Sequence, residues 1–186
     1  MHSGRAQGFA LFDTAIGLCG IAWGSHGIVG AQLPEASEVD SRSRMRRRFP
    51  GAPEATPPPE VQRVCDGVAA LLRGETVDLR GVTLDMAGVP ALHQRVYDIA
   101  QKIRPGATLT YGEIARQLGD ASLARAVGQA LARNPFAPIV PCHRVLAAGG
   151  KSGGFSASGG LAMKLRLLQI EGAPMNGALF DAAPSA

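Results

Sequence analysis

The chain has 186 residues, 46% of them hydrophobic and 18% charged, which is enough apolar material to pack one medium domain or two small ones. A net charge of +4 is compatible with a polyanionic partner without requiring one. Cys19, Cys65 and Cys142 form no CxxC pair, and the four histidines form no HxxxH or HxxEH pattern. That argues against a disulfide scaffold and a metal site, and for a reducing, cytoplasmic setting with no cofactor.

The apolar N-terminal stretch is interrupted by Asp13, and its alternation fits a strand better than a leader peptide. No run approaches a membrane span, so no membrane partner is expected. Phe9, Leu11 and Phe12 predict a strand, Ile16-Gly17 a turn, Cys19 to Trp23 a second strand, "GSHG" a turn and "IVGAQL" a third strand. "EASEVDSRSRMRRRF" reads as a polar helix. Its five arginines are either a solvated face or a nucleic-acid patch, and the solvated face is the preferred reading. "PGAPEATPPPE" is a loop, and "EVQRVCDGVAALLRG" is an amphipathic helix with Val61, Val64, Val68 and Leu72 on one side. "VDLRGVTLDMAG" reads as strand material. This half is expected to be a small α/β domain without a catalytic constellation.

The second half begins with the helical "PALHQRVYDIAQKI", stopped by Pro105-Gly106. "TYGEIARQLGDASLARAVGQALARNP" predicts a short helix, a tight turn at Gly119-Asp120 and a second helix. This is either a helix-turn-helix or a generic helical hairpin. The second helix carries Arg125, Gln129 and Arg133 among small residues, a face able to lie close to a nucleic-acid groove. A Gly/Ser loop, "AAGGKSGGFSASGG", then leads to a last helix, "LAMKLRLLQIEG".

Between them lies "NPFAPIVPCHRV". The thiolate is the nucleophilic form of cysteine, and an imidazole, directly or through water, can take the thiol proton. Cys142 and His143 are adjacent. In extended backbone their side chains would point to opposite sides, so a direct bond is not assured and a water can bridge them. Glu171, near the end of the last helix, is the candidate that orients the imidazole. The bland alternatives remain beside these: a buried structural thiol at Cys142, a satisfied core histidine at His143 and a structural salt bridge at Arg144.

"IVPCHRV", with "NP" upstream, "TYGEIA" before it and "SGGLAMKLRLLQIEG" after it, closely resembles the O6-alkylguanine-DNA alkyltransferases, the methylated-DNA–protein-cysteine methyltransferases. The resemblance runs from about Ala91 to Gly172 and is looser in the first half, through "LFDTAIG" and "GIVGAQLP". It implies an α+β protein in three parts. Residues 1–88 would form a small ribonuclease-H-like α/β domain. Residues 89–174 would form a winged-helix-like domain containing a helix-turn-helix, and 175–186 a loose tail. It implies transfer of the alkyl group of O6-alkylguanine, and of O4-alkylthymine, onto the protein's own cysteine. By motif matching, Cys142 resembles the acceptor, His143 its base through water, Glu171 the acid orienting the imidazole and Asn134 the brace of the nearby turn. Tyr111 resembles the tyrosine that assists the leaving guanine. Arg125 resembles the arginine that fills the duplex gap, with Ala126, Gly128, Gln129 and Arg133 on the same DNA-binding helix. Pro141, Val145, Phe155, Ser158, Gly159 and Gly160 fall at the base pocket, where the carbonyls of Cys142 and Val145 would accept from the guanine amino group. The implied partner is double-stranded DNA containing O6-alkylguanine, and the implied state is a monomer.

The chain departs from the family pattern in places. The loop "GGFSASGG" is longer than in some relatives, which leaves Phe155 and Ala157 as alternatives for the pocket aromatic. Ser25 stands near where some relatives have a zinc-binding cysteine, and Leu92 where many have phenylalanine. Three rival readings are a lesion binder lacking the cysteine, a helix-turn-helix transcription regulator and a thiol hydrolase. Cys142 opposes the first, the lack of a legible dimerisation or sensor segment opposes the second, and the stable thioether product of the family opposes the third.

Overall fold

The structure, a computed structural model, describes residues 6–174. The expected loose tail, 175–186, lies outside the described residues. The chain divides into two compact units. One runs to Val89 and includes Pro135–Ile139; the other comprises Pro90–Asn134 and the chain from Val140 onward.

The first unit is built on an antiparallel meander of β1 (Gly8–Thr14), β2 (Gly17–Gly24) and β3 (Gly27–Gln32). Thr14 pairs with Gly17 and Gly24 with Gly27, so both connections are two-residue loops. Phe9, Ala22 and Val29 pack with Met45 and Phe49, which come from helix α1 (Glu38–Arg48) and the residue just after it. Ser37 starts that helix by accepting a hydrogen bond from Asp40 N. Acidic residues occupy its first turn and arginines its last, as the helix dipole favours.

Four of the five α1 arginines have partners. Arg42 pairs with Glu38 and Glu54, Arg44 with Glu35, Arg46 with Glu54, and Arg48 binds backbone carbonyls. Such pairing agrees with a solvated face. Helix α2 (Pro59–Leu72) buries Val61, Cys65, Val68, Leu71 and Leu72. Cys65 packs there as a small apolar residue, and burial, with Asp66 nearby, pushes its thiol up to about 12.

The strand expected in "VDLRGVTLDMAG" does not form. Asp78 accepts a hydrogen bond from Arg80 N and Leu79 O one from Val82 N, which folds the segment into turns. Only Leu84 bridges to Ile28, flanked by Ile28 N→Thr83 O and Asp85 N→Ile28 O bonds.

The second unit holds α3 (Ala91–Gln101), α4 (Tyr111–Gln117), α5 (Ala124–Ala132) and α6 (Gly160–Ile170). It also holds a parallel pair, β4 (Leu109–Thr110) with β5 (Val145–Leu146). Tyr97 of α3 is buried and donates its hydroxyl proton to Ala130 O of α5 at 2.8 Å. Ile114, Ala115, Val127 and Leu131 close α4 against α5, the buried Ile, Val and Leu side chains contributing about 1.5–3 kcal/mol each. Between α4 and α5 runs a turn from Leu118 and a single 3-10 turn, Ala121–Leu123, begun by Asp120, which accepts from Ser122 N. Among the described residues no helix is long and apolar enough to cross a membrane.

Candidate active site

Cys142 lies in a single 3-10 turn, Cys142–Arg144, not in the extended backbone expected for it. Pro141 precedes the turn, and Cys142 N→Val140 O and Arg144 N→Pro141 O bonds hold it. Successive side chains of a 3-10 turn fan out by roughly 120°, so adjacent residues can face different surroundings. All three are buried, with Cys142 8% exposed and His143 1%.

The sulfur lines a groove of about 580 Å³ together with Tyr111, Leu131, Gly154, Phe155 and Ser156. The same groove takes in Arg125, Gly128 and Gln129 from the outer face of α5. Tyr111 opens α4 through a capping box: Thr110 Oγ1 accepts from Glu113 N, and Glu113 Oε2 accepts from Thr110 N. The pocket loop closes directly on this tyrosine. A Cβ at Gly153, whose φ is +64°, would lie 2.7 Å from the phenolic oxygen, so glycine is required there.

Behind the thiol lies an ionic network. His143 Nε2 is 2.8 Å from Glu171 Oε1. Arg144 forks onto the same carboxylate, Nε to Oε2 and Nη2 to Oε1, both at 2.8 Å, while its Nη1 donates to Ile103 O. The Glu171 side chain is only 3% exposed. Burial alone would raise its carboxyl, but the bonds from His143 and Arg144 outweigh it and hold it at about 2. Burial lowers the His143 imidazolium pKa against the opposing pull of Glu171. The ring is then neutral at pH 7: Nε2–H donates to Glu171, and Nδ1 is left to accept a proton.

Burial raises the Cys142 thiol. A side-chain hydrogen bond from Asn134, the charge of Lys164 and the N–H groups of Cys142 and His143 oppose that rise without cancelling it. Asn134 Nδ2 also donates to Val140 O at 2.8 Å. Burial, then the neighbouring Cys142, raises the Tyr111 hydroxyl, so it is a neutral proton donor.

Of the residues singled out in the sequence, Cys142, Tyr111, Phe155, Arg125, Gly128 and Gln129 share one groove, with Phe155 rather than Ala157 on its wall. Asn134, His143 and Glu171 stand behind it. Arg133, the residue just after α5, is exposed, and Ala126 on α5 is half-buried. Pro141 and Val145 are buried under the turn, and the Val145 carbonyl accepts from Lys164 Nζ at 2.7 Å. Ser158 lies beyond the groove lining. Gly159, in the left-handed region, caps α6, and Gly160 opens that helix.

Lys164 was not anticipated. It is fully buried, its Nζ also reaches Gly154 O at 3.4 Å, and it lies 6.0 Å from the centre of the Tyr111 ring. Burial lowers it to about 8 while the Cys142 charge opposes that shift. The available signal was its register: Lys164, Leu167 and Leu168 share the buried face of α6, so the lysine sits inside an apolar stripe.

Comparison with known proteins places the chain among relatives of one family. Residues 91–173 match the family model described as 6-O-methylguanine DNA methyltransferase, DNA binding domain. A methylated-DNA–protein-cysteine methyltransferase of Methanothermobacter thermautotrophicus is 34% identical over 158 residues, 85% of this chain and 81% of that protein. A Thermus thermophilus protein named DNA base-flipping protein is 38% identical over 139 residues, 75% of this chain and 91% of its own. The crystal structure of Mycobacterium tuberculosis OGT in complex with DNA aligns with a TM-score of 0.70 at 35% identity, covering 93% of this chain and 99% of that one.

Proposed function

The chain belongs to the methylated-DNA–protein-cysteine methyltransferase family, and from that premise we propose that it repairs DNA by direct reversal, moving the alkyl group of O6-alkylguanine irreversibly onto Cys142. O4-alkylthymine is its second substrate. The observation that carries the reading is a buried cysteine at the base of a groove continuous with the outer face of α5. The O6 atom of a stacked guanine is out of reach, so the nucleotide is flipped out of the duplex into that groove. Arg125 fills the gap left in the stack, Ala126 and Gly128 allow close approach, and Gln129 and Arg133 contact the DNA beside it.

The thiol proton leaves through water to His143 Nδ1, while Glu171 holds the ring by Nε2. The sulfur attacks the alkyl carbon, the S–C bond forms as the C–O6 bond breaks, and guanine departs taking a proton from Tyr111. Asn134 and Lys164 stabilise the thiolate before attack. The Cys142 and Val145 carbonyls receive the guanine amino group, Phe155 walls the pocket, and Pro141, Ser158, Gly159 and Gly160 shape the turn and loop around it. The product is a thioether, which no group in the site hydrolyses, so each molecule acts once. We read the first unit as a ribonuclease-H-like α/β domain, the second as a winged-helix-like one, and the protein as a cytoplasmic monomer.

Mixing the protein with excess O6-methylguanine duplex tests this. One equivalent should be consumed, and mass spectrometry should find one added methyl on the peptide holding Cys142. Cys142→Ser should bind DNA and transfer nothing. Continued turnover would mean a hydrolase, binding without transfer would mean a lesion binder, and label on Cys19 or Cys65 would sink the assignment.

A further inference from the structure

The chain between Asn134 and Val140 makes a short excursion. Pro135–Ile139 belongs to the first unit, while both flanking residues belong to the second. Within the first unit the excursion lies along β3: Ala31 N donates to Pro135 O at 2.9 Å, and Ala31 bridges to Phe136. Phe136 and Ile139 are buried.

Arg48, the last residue of α1, reaches the same spot. Its Nη1 donates to Ala31 O at 2.9 Å and its Nη2 to Pro135 O at 3.0 Å. Gly30 makes this approach possible, since a Cβ there would sit 2.9 Å from Arg48 Nη2 and 2.4 Å from the Phe49 ring. The guanidinium carbon lies 5.1 Å from the centre of that ring. Burial, with Arg44 nearby, brings Arg48 down to about 10, which leaves it charged at neutral pH. A half-buried cation bonded to two neutral carbonyls gains little stability from them alone, since an apolar side chain of similar size would fill the space without the desolvation cost. What the fork achieves is placement of a particular carbonyl.

That carbonyl belongs to Pro135, joined by a peptide bond to Asn134. The Asn134 amide has two hydrogens. One goes to Val140 O at 2.8 Å, closing the excursion at its far end. The same side chain hydrogen-bonds the Cys142 sulfur. The Pro135 ring locks φ, so a shift of the Pro135 carbonyl group is passed through its Cα to the Asn134–Pro135 peptide instead of being absorbed by rotation about N–Cα, and a hydrogen bond weakens steeply with misalignment.

We propose that Arg48 is a positioning residue for the nucleophile: by fixing the Pro135 carbonyl it holds Asn134 where one amide group bridges Val140 O and the Cys142 sulfur. This rests on Cys142 as the alkyl acceptor, but its test reads the thiol directly. Iodoacetamide labelling of the Cys142 peptide, followed against pH by mass spectrometry, gives the midpoint at which the sulfur becomes reactive. Arg48→Met keeps the length and the packing on Phe49 but loses both donors. The other titratable groups that act on the sulfur or take its proton, Lys164, Tyr111, Tyr97 and His143, are untouched by it.

Arg48→Met should raise the midpoint by about one pH unit and slow transfer from free O6-benzylguanine about tenfold, the size expected for one charge-assisted hydrogen bond. Asn134→Ala should raise the midpoint similarly, and the double variant should go little further, because both act through one contact. An unchanged midpoint in Arg48→Met, or fully additive shifts in the double variant, overturns the proposal. Should Arg48→Met fail to fold, Arg48→Lys, which can reach one carbonyl but not both, is read instead. An intermediate midpoint supports the proposal and a wild-type midpoint overturns it. Wild-type protein that titrates normally yet transfers nothing would instead refute the alkyl-transfer reading and leave the Arg48 measurement standing.

Discussion

At Glu171 two oxygens serve both His143 and Arg144, so the residue orients the imidazole and neutralises a buried guanidinium at once. Because of the Arg144 fork, Glu171→Gln is more than a loss of charge beside the imidazole. The amide strands a buried cation, and breaking one partner from such a pair costs about 3–5 kcal/mol. Glu171→Gln should therefore lower stability by roughly that amount and also raise the pH at which Cys142 reacts, because the imidazole loses the carboxylate that favours its protonated form. The pH dependence separates the two effects. A free glutamate titrates near 4.3 and the folded one is held at about 2. A depressed carboxyl stabilises fully above its unfolded pKa and loses that contribution as pH falls through its folded pKa. The stability gap between wild type and Glu171→Gln, measured by denaturant unfolding, should narrow from about pH 4 down to about pH 2. A gap that stays constant would show that the carboxylate charge contributes nothing.

Helix α5 is where element and function meet. Its inner stripe, Val127, Ala130 and Leu131, is buried, and this fixes which residues face outward: Arg125, Gln129 and Arg133. Val127 and Leu131 were readable from the helical period, whereas Leu123, which shares that period, is only partly buried. Arg125 opens the helix and lines the Cys142 groove. Arg125→Ala should slow transfer from duplex DNA at least tenfold more than transfer from free O6-benzylguanine, because only duplex substrate needs the gap in the stack filled. Equal losses on both substrates would assign the residue to the fold or the thiol. The elements that escaped the sequence are short or locally overridden. The β4–β5 pair has two residues per strand, too few for any alternation to register. At "VDLRGVTLDMAG" the alternation is present, but Asp78 and Leu79 capture local N–H groups and leave a single bridge to β3.

For the whole molecule, a net charge of +4 with exposed Arg125 and Arg133 on one helix face predicts binding dominated by phosphate contacts. Affinity for undamaged duplex should fall steeply as salt rises, and Arg133→Ala should flatten the log–log slope by about one, as expected for one lost phosphate contact. An unchanged slope would put Arg133 off the DNA. By itself the sequence determined the three-strand start, the helical periods, the α4–α5 pair and the chemistry-bearing run around Cys142. These are local properties, written in side-chain spacing and turn residues within a few positions of one another. Only the tertiary structure decided what surrounds the sulfur. It bent "CHR" into a 3-10 turn, brought Glu171 to both His143 and Arg144, buried Lys164 beside Tyr111 and set Arg48 on the Pro135 carbonyl. Apart from the turn itself, each of those contacts joins residues 27 or more positions apart, and no one-dimensional period records which distant partner will satisfy a buried polar group. That is settled only when burial forces every such group to find one.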